Sequence, residues 1–267
     1  MPLKNRIMNN NYHTHMYLCR HAEGDVVDYV EEAIRLGFQS LGMSDHAPFE
    51  ELKDRSVRMY PSDFPIYLEK CLSAKEKYKE AIQVYTGLEI EYFIEHKEIY
   101  PKLLSSLDYL ALGQHYIFDP KSNNNLRSSY ALTTEEHMTT YVDTIEDALK
   151  SGYFKFICHP DLFLYNVRDF DHIAEALSTR LIDLAVKYNT PLEINANGIR
   201  KGFVDTPKGP RYKYPREEFW LIAKKKNARV IISSDAHSPK NLYDDIVKQT
   251  FEFADTLGII VEEALTF

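Results

Sequence analysis

The sequence predicts an α/β fold in which parallel strands form a barrel surrounded by helices. Short β-branched and aliphatic runs alternate about seven times with longer stretches whose apolar residues recur every three or four positions. Strands that alternate with helices pair in parallel, because each helical crossover returns the chain to the same end of the sheet. The chain has 267 residues, close to the ~250 residues of a (β/α) barrel. A closed barrel is therefore favoured over an open sheet.

Seven runs have the length and composition of buried strands. They are residues 11–15, 40–43, 83–90, 109–113, 155–158, 191–195 and 229–233. The helices are predicted at residues 25–36, 64–81, 96–105, 134–150, 171–188, 215–226 and 239–257. Gly37 ends the first helix. Ser62, Thr133 or Thr134, and Ser238 are predicted to cap the second, fourth and last helices.

The composition limits the class of protein and its partners. The chain is 44% hydrophobic and 27% charged, which is typical of a soluble globular protein. Its net charge of −8 argues against a binder of nucleic acid, which needs a basic surface. No run reaches the ~20 apolar residues of a membrane span, and the first residues lack the apolar segment of a secretory signal. We therefore expect a cytoplasmic protein with neither a membrane nor a nucleic-acid partner.

The cysteines and the loops add little chemistry. Cys19, Cys71 and Cys158 are few and widely spaced, so the sequence predicts neither a disulfide framework nor a cysteine-based zinc site. No glycine-, serine- or proline-rich linker interrupts the chain, which favours one domain over residues 1–267. Residues 119–129 form the most irregular loop.

Histidine and carboxylate residues follow the first, second and last strands. His13 and His15 are two residues apart, so on a strand both side chains point to the same face and can bind one metal ion. Asp235 and His237 have the same spacing. Asp45 and the adjacent His46 point in opposite directions on a regular strand, which favours His46 as the ligand. Asp45 is then either a partner of a ligand or an acid/base group.

Three further candidates, Glu89, His115 and His159, lie at the carboxyl ends of the third, fourth and fifth strands. A single histidine there is most often a hydrogen-bonded structural residue, and an aspartate after a strand often caps the next helix. The shared position of all these residues is more informative, since the carboxyl ends of barrel strands carry the active sites of such folds. The remaining histidines, His96, His137 and His172, lie in helices beside charged residues and are assigned to solvated faces.

Together these motifs resemble the polymerase and histidinol phosphatase (PHP) superfamily of metal-dependent phosphoesterases. The matching segments are His13-Thr14-His15, Asp45-His46, His159-Pro160 and Asp235-Ala236-His237, with His21, Glu89 and His115. The segments Cys-Arg-His-Ala, Ser-Asp-His-Ala-Pro and Gly-Gln-His look like those of the stand-alone histidinol-phosphate phosphatases of histidine biosynthesis. The resemblance implies a distorted (β/α)7 barrel of seven strands.

The resemblance also implies a centre of three divalent metal ions, which could be zinc, iron or manganese. The first ion is bound by His13, His15, Glu89 and Asp235. The second is bound by Glu89, His115 and His159, and the third by His21, His46 and His237. Three divalent ions with two anionic ligands leave about four positive charges, or about three with a bridging hydroxide. Such a site would attract a phosphomonoester dianion.

The implied reaction is hydrolysis of L-histidinol phosphate to L-histidinol and phosphate, by attack of a metal-bridging hydroxide on phosphorus. The leaving alkoxide needs an acid, for which Asp45 or an uncoordinated histidine is the candidate. Arginine binds phosphate with paired donors, so Arg200, then Arg168 and then Arg20 are expected at the substrate, the first two as catalytic residues. The alternative for each is an exposed loop arginine. Contacts with the imidazole and amine of the substrate could come from Glu91, Tyr116, Phe118 or Asp161.

Other functions are compatible with the same residues. A PHP-type nuclease, another small-molecule phosphoesterase, or a metal-binding module without catalysis would each need a similar cluster. The acidic net charge disfavours the nuclease, and a complete set of ligands disfavours the silent module. The sequence leaves the oligomeric state open.

Overall fold

The computed structural model describes residues 8–50, 52, 54–122, 125–206 and 209–267. Its strands, in chain order, are β1 (Asn10–Asn11), β2 (Ser40–Met43), β3 (Gln83–Ile90), β4 (Tyr109–Leu112), β5 (Tyr116–Phe118), β6 (Leu126–Ser128), β7 (Phe154–Ile157), β8 (Leu192–Asn195), β9 (Phe203–Thr206), β10 (Gly209–Tyr212) and β11 (Val230–Ser233). Seven of them form one parallel sheet in the order β1-β2-β3-β4-β7-β8-β11. A parallel bridge between Thr14 and Ala236 brings the first and last strands together. The sheet is a nearly closed barrel, which confirms the predicted fold class.

The helices surround this barrel and follow the predicted order. They are α1 (Val26–Leu36), α2 (Phe64–Lys77), α3 (Ile99–Leu104), α4 (Glu135–Ser151), α5 (His172–Lys187), α6 (Ala196–Arg200), α7 (Glu217–Lys225) and α8 (Asp245–Leu257). The cap at Thr134 is confirmed, because its side chain accepts a hydrogen bond from the His137 amide. Gly37 ends α1 in a left-handed conformation, as predicted. None of the helices in the described part of the chain has the length and apolar run that a membrane crossing requires.

Several boundaries differ from the prediction for local reasons. The last helix begins at Asp245, because Asp244 caps it and residues 239–241 form a separate 3-10 turn. The Ser238 cap is therefore wrong, and Ser62 lies inside a 3-10 turn before α2 rather than capping it. The short helix α6 and the hairpins β5-β6 and β9-β10 were not expected. Hairpin β5-β6 contains part of the loop that was predicted to be irregular.

Alternation along the strands separates two buried regions. On β4, Leu110 and Leu112 pack toward the helices, whereas Tyr109 and Ala111 join a smaller cluster inside the barrel with Phe156. The same alternation on β3 and β8 turns polar side chains inward near the carboxyl ends of the strands. The barrel interior is therefore apolar near the amino ends of the strands and polar near their carboxyl ends.

Tyr109 links the barrel interior to the path of the first strand. Its hydroxyl donates to the Tyr12 carbonyl at 2.6 Å, one residue before His13. Its ring fits because residues 42 and 87 are glycines, where a Cβ would overlap the Tyr109 side chain. Phe267 packs against the same ring, with the two ring centroids 4.6 Å apart. Tyr109 thus restrains the backbone from which the first histidines project.

We expect Tyr109→Phe to lower the free energy of unfolding by about 1 kcal/mol, because it leaves the buried Tyr12 carbonyl without its donor. Urea unfolding measures this change. Tyr85→Phe is the matched control, since Tyr85 packs on the same cluster and its hydroxyl makes no hydrogen bond to the described residues. Equal losses from both variants would contradict the role given to the Tyr109 hydroxyl.

Candidate metal centre

One carboxylate, that of Glu89, lies among five histidines at the carboxyl end of the barrel. Its Oε2 atom lies 3.2 Å from His13 Nε2, 3.5 Å from His15 Nε2 and 3.0 Å from His46 Nδ1. Its Oε1 atom lies 2.9 Å from His159 Nε2 and 3.3 Å from His115 Nε2. The structure therefore brings together residues that are separated by up to 146 positions in the sequence.

A second carboxylate, Asp235, joins this cluster to the remaining two histidines. Its Oδ1 atom is 3.2 Å from His15 Nε2 and 3.4 Å from His237 Nδ1. His237 Nε2 lies 2.8 Å from His21 Nε2. His13 and His15 are fully buried, whereas His237 is half-buried and His21 is exposed. All nine residues proposed as ligands from the sequence thus meet in one cluster that opens toward solvent at His21.

Local backbone features aim these side chains. His159 and Asp235 have left-handed backbones, with φ of 33° and 46°, a conformation that costs non-glycine residues about 1–3 kcal/mol and is concentrated at functional sites. The His15 amide donates to the Ala236 carbonyl at 2.9 Å. Gly113 leaves the space that Glu89 occupies, because a Cβ at this position would overlap the Glu89 carboxylate.

The charges in the cluster suit metal coordination. Burial by itself would raise the pKa of Glu89, but His13, His115 and His46 lower it well below its usual range. The pKa of Asp235 is lowered in the same way, with His13 as the largest cause that opposes burial. Burial lowers the pKa of His46, and burial together with His15 lowers that of His237 to about 3. The two carboxylates are anionic and these two imidazoles are neutral, which is the state that binds metal.

Unpartnered atoms show that the residues fit divalent ions. His13 Nε2, His15 Nε2 and Asp235 Oδ1 are buried and have no hydrogen-bond partner among the described residues, although buried polar atoms nearly always have one. The ligand atoms of His13, His15 and Asp235 lie within 4.8 Å of one another, as do those of His15, His46 and His237. Imidazole and carboxylate donors are the ligands that zinc, iron and manganese accept.

Three more carboxylates lie behind the histidines. Glu193 Oε1 is 2.8 Å from His13 Nδ1, Glu91 Oε1 is 3.1 Å from His115 Nδ1, and Asp45 Oδ1 is 3.4 Å from His15 Nδ1. Each therefore contacts the ring nitrogen on the far side from the cluster. Sequence reasoning missed Glu193, although Glu193 and Asn195 are two polar residues at alternate positions of an otherwise apolar strand.

Asp45 does not occupy the position expected of a catalytic acid. It is fully buried and contacts His15 and the His46 amide. It does not line the cavity above the cluster. Burial raises its pKa. The structure thus corrects the assignment of Asp45 as a catalytic residue and places it behind a candidate ligand.

A cavity of about 470 Å³ opens above the cluster. Seven of the candidate ligands line it, together with Asp54, Val57, Arg58, Tyr116, Ser128, Tyr130, Asn197 and Lys201. Arg58 is buried and pairs with Glu91 at 2.9 Å and with Asp54 at 2.6 Å. The Lys201 ammonium lies 5.3 Å from the centroid of the Tyr130 ring. It has no carboxylate partner among the described residues.

The arginines expected at the substrate lie elsewhere. Arg200 donates to the Ser234 carbonyl at 2.6 Å and pairs with Asp244 at 2.9 Å, so its guanidinium is used within the fold. Arg168 is exposed and lines a different groove. Arg20 lies over the Tyr60 ring at 3.8 Å. None of the three lines the cavity above the cluster.

The other candidate contacts divide between the cavity and the core. Tyr116 lines the cavity and donates to Asp54 at 2.7 Å. Asp161 is buried under Trp220, whose indole donates to it at 3.1 Å. Phe118 is 55% exposed outside the cavity. His96, His137 and His172 lie apart from the cluster, as expected, but His96 and His137 are half-buried.

Comparison with known proteins identifies the family. The model of the PHP domain matches residues 11–197, which is more than half of the chain. The chain belongs to the PHP family. The matched range contains every candidate ligand of this PHP domain except Asp235 and His237, which follow β11.

Named proteins are similar to this PHP domain in sequence or in fold. It is 25% identical over 256 residues to the Bacillus subtilis protein "Histidinol-phosphatase", covering 84% of this chain and 92% of the relative. It is 26% identical over 251 residues to a Schizosaccharomyces pombe "Probable histidinol-phosphatase", covering 85% and 80%. The fold is similar to that of histidinol phosphate phosphatase from Lactococcus lactis, solved with zinc, L-histidinol and phosphate, with a TM-score of 0.70, 17% identity and coverage of 96% of each chain.

We expect Gly113→Ala to displace the Glu89 carboxylate and to reduce the zinc retained after dialysis by at least one ion per chain, measured by elemental analysis. Gly87→Ala is the control, because its Cβ would overlap the Tyr109 ring and no carboxylate. Both variants should be less stable, and only the first should lose metal. Full zinc retention by Gly113→Ala would contradict the role of Gly113.

Proposed function

We propose that this PHP domain is a metal-dependent phosphomonoesterase that hydrolyses L-histidinol phosphate to L-histidinol and phosphate, a step of histidine biosynthesis. The observation that carries the proposal is the convergence of seven histidines, Glu89 and Asp235 at one cavity. The names of the B. subtilis and S. pombe relatives support the substrate. The histidinol and phosphate in the L. lactis structure support it as well.

The proposed centre has three divalent ions. His13, His15, Glu89 and Asp235 would hold the first, Glu89, His115 and His159 the second, and His21, His46 and His237 the third. When bound, such ions lower the pKa of coordinated water and neutralise phosphoryl oxygens. The chain's own contribution is to place seven histidines, of which His46 and His237 are neutral, beside two anionic carboxylates in a preorganised arrangement.

Among the side chains around the centre, Lys201 is the proposed contact for the phosphate group of the substrate. It lines the cavity, and its charge is not neutralised by a carboxylate of the described residues. A phosphomonoester dianion near the candidate ligands would therefore find an ammonium group at the rim. Asn197 lines the same part of the cavity and donates to Asp235 at 3.2 Å.

Asp54 is the proposed contact for the cationic amine of the substrate. Together Asp54, Arg58 and Glu91 carry one net negative charge, because a single guanidinium lies between two carboxylates. Arg58 lowers the pKa of Asp54, against the effect of burial. Asp54 therefore stays anionic at neutral pH where it lines the cavity. A substrate with a phosphate and an amine matches Lys201 and Asp54.

The substrate assignment is tested by the release of inorganic phosphate from L-histidinol phosphate and from a panel of other phosphomonoesters, with zinc-loaded protein. We expect kcat/KM to be at least ten-fold higher for L-histidinol phosphate. His159→Ala and prior treatment with a chelator should each abolish turnover. A flat profile across the panel would reject the substrate while leaving a phosphomonoesterase, and cleavage of single-stranded DNA alone would favour a nuclease.

Variants of the neighbouring residues Lys201 and Arg200 distinguish a side chain that contacts the substrate from one that stabilises the fold. Lys201→Ala should lower kcat/KM by about 10–100-fold, the value of a lost hydrogen bond to a charged group, with unfolding free energy changed by less than about 0.5 kcal/mol. Arg200→Ala should lower the unfolding free energy by about 1–2 kcal/mol through loss of the Asp244 pair. Steady-state kinetics and urea unfolding of both variants measure this. The reverse pattern would restore Arg200 as the phosphate contact.

A further inference from the structure

Glu193 is a fully buried carboxylate that contacts two candidate ligands at once. Its Oε1 atom lies 2.8 Å from His13 Nδ1, and its Oε2 atom accepts from the His159 amide at 3.0 Å. The Asn195 side chain donates to the same Oε2 atom at 2.8 Å, and its amide nitrogen also lies 3.2 Å from Asp235 Oδ2. One carboxylate is therefore connected to three positions of the cluster.

The charge of Glu193 lacks the partner that a buried carboxylate ordinarily has. Glu91 pairs with the Arg58 guanidinium at 2.9 Å. Glu193, by contrast, pairs only with His13, and no lysine or arginine of the described residues reaches it. Burying an unpaired carboxylate is costly. The positive charge that compensates Glu193 must therefore act through the His13 ring, either as the protonated imidazole or as a metal ion held at His13 Nε2.

Glu193 also determines which nitrogen of His13 carries the proton. When its Nε2 atom binds a metal ion, the His13 ring keeps its single proton on Nδ1, which then donates to the Glu193 Oε1 atom 2.8 Å away. Its Nε2 atom, which is buried without a partner, then has a free lone pair aimed at Glu89 and Asp235. This is the tautomer that a metal ligand requires.

The contact with His159 acts on the backbone. His159 has a left-handed backbone with φ of 33°, and its amide donates to Glu193. The hydrogen bond therefore helps to hold the conformation that aims the His159 ring at Glu89. We propose that Glu193 is a positioning residue of the metal centre, which sets the tautomer of His13 and the backbone of His159 together. This inference rests on the metal centre of the proposed function.

Glu193→Gln separates these roles from simple packing. A glutamine has nearly the same shape but one acceptor oxygen and one donor NH₂ group. It cannot accept from both His13 Nδ1 and the His159 amide, so either His13 takes the wrong tautomer or two donors face each other. Loss of such a contact behind a ligand typically weakens metal binding 10–100-fold.

The experiment measures zinc dissociation constants by competition with a chromophoric chelator, together with the visible spectrum of the cobalt-substituted protein. We expect Glu193→Gln to bind at least one ion 10–100-fold more weakly and to alter the cobalt spectrum. Asp161→Asn is the control, because Asp161 is also a buried carboxylate with backbone and indole donors but no hydrogen bond to a histidine of the described residues. Its zinc affinity should stay within about three-fold of the unaltered protein.

The outcomes distinguish this inference from the function itself. Affinity of Glu193→Gln within three-fold of the unaltered protein would overturn the positioning role and leave the phosphatase proposal intact. Equal losses in Asp161→Asn would attribute the effect to general loosening and would also overturn it. If the unaltered protein bound no metal, both proposals would fail. Should Glu193→Gln not fold, Glu193→Asp retains the charge but withdraws it from His13, and an intermediate loss of affinity is expected.

Discussion

The placement of the Glu89 carboxylate among five imidazoles is the interaction on which the rest of the site depends. A carboxylate that is 1% exposed remains anionic only because positive charge or polar nitrogen surrounds it. Here the surrounding nitrogens come from the ends of four different strands, so the cluster can exist only when the barrel is closed. The Thr14–Ala236 bridge and the interior aromatic cluster around Tyr109 are therefore requirements of the site as well as of the fold.

The carboxylates behind the histidines change the electrostatic description of the centre. Counting only the ligands gives about four positive charges for three divalent ions. Counting Glu193 and Asp45 as carboxylates and the Asp54–Arg58–Glu91 group as one negative charge, the formal charge falls to about one. The centre is still positive in a chain whose net charge is −8, but the excess is smaller. The positive charge of Lys201 at the rim of the cavity then contributes a larger share of the attraction for a phosphate group.

The predicted and observed sites differ in a consistent way. Every candidate ligand at the carboxyl end of a strand, from His13 to His237, lies in the cluster, because the carboxyl ends of parallel barrel strands meet at one face. The loop residues were less predictable. Arg200 and Lys201 are adjacent, yet one pairs with Asp244 inside the fold and the other reaches the cavity, since consecutive side chains at a helix end point in different directions.

The sequence by itself determined the fold class, because strand and helix periodicity act over a few positions, and its motifs, through their resemblance to the PHP superfamily, indicated the family and the candidate ligands. The tertiary structure alone decided the partners of those ligands. Glu193 meets His13 across 180 positions and Arg58 meets Glu91 across 33, and no local pattern encodes such a contact. The same holds for the space that Gly113 leaves for Glu89. These contacts depend on which strands become neighbours when the barrel closes.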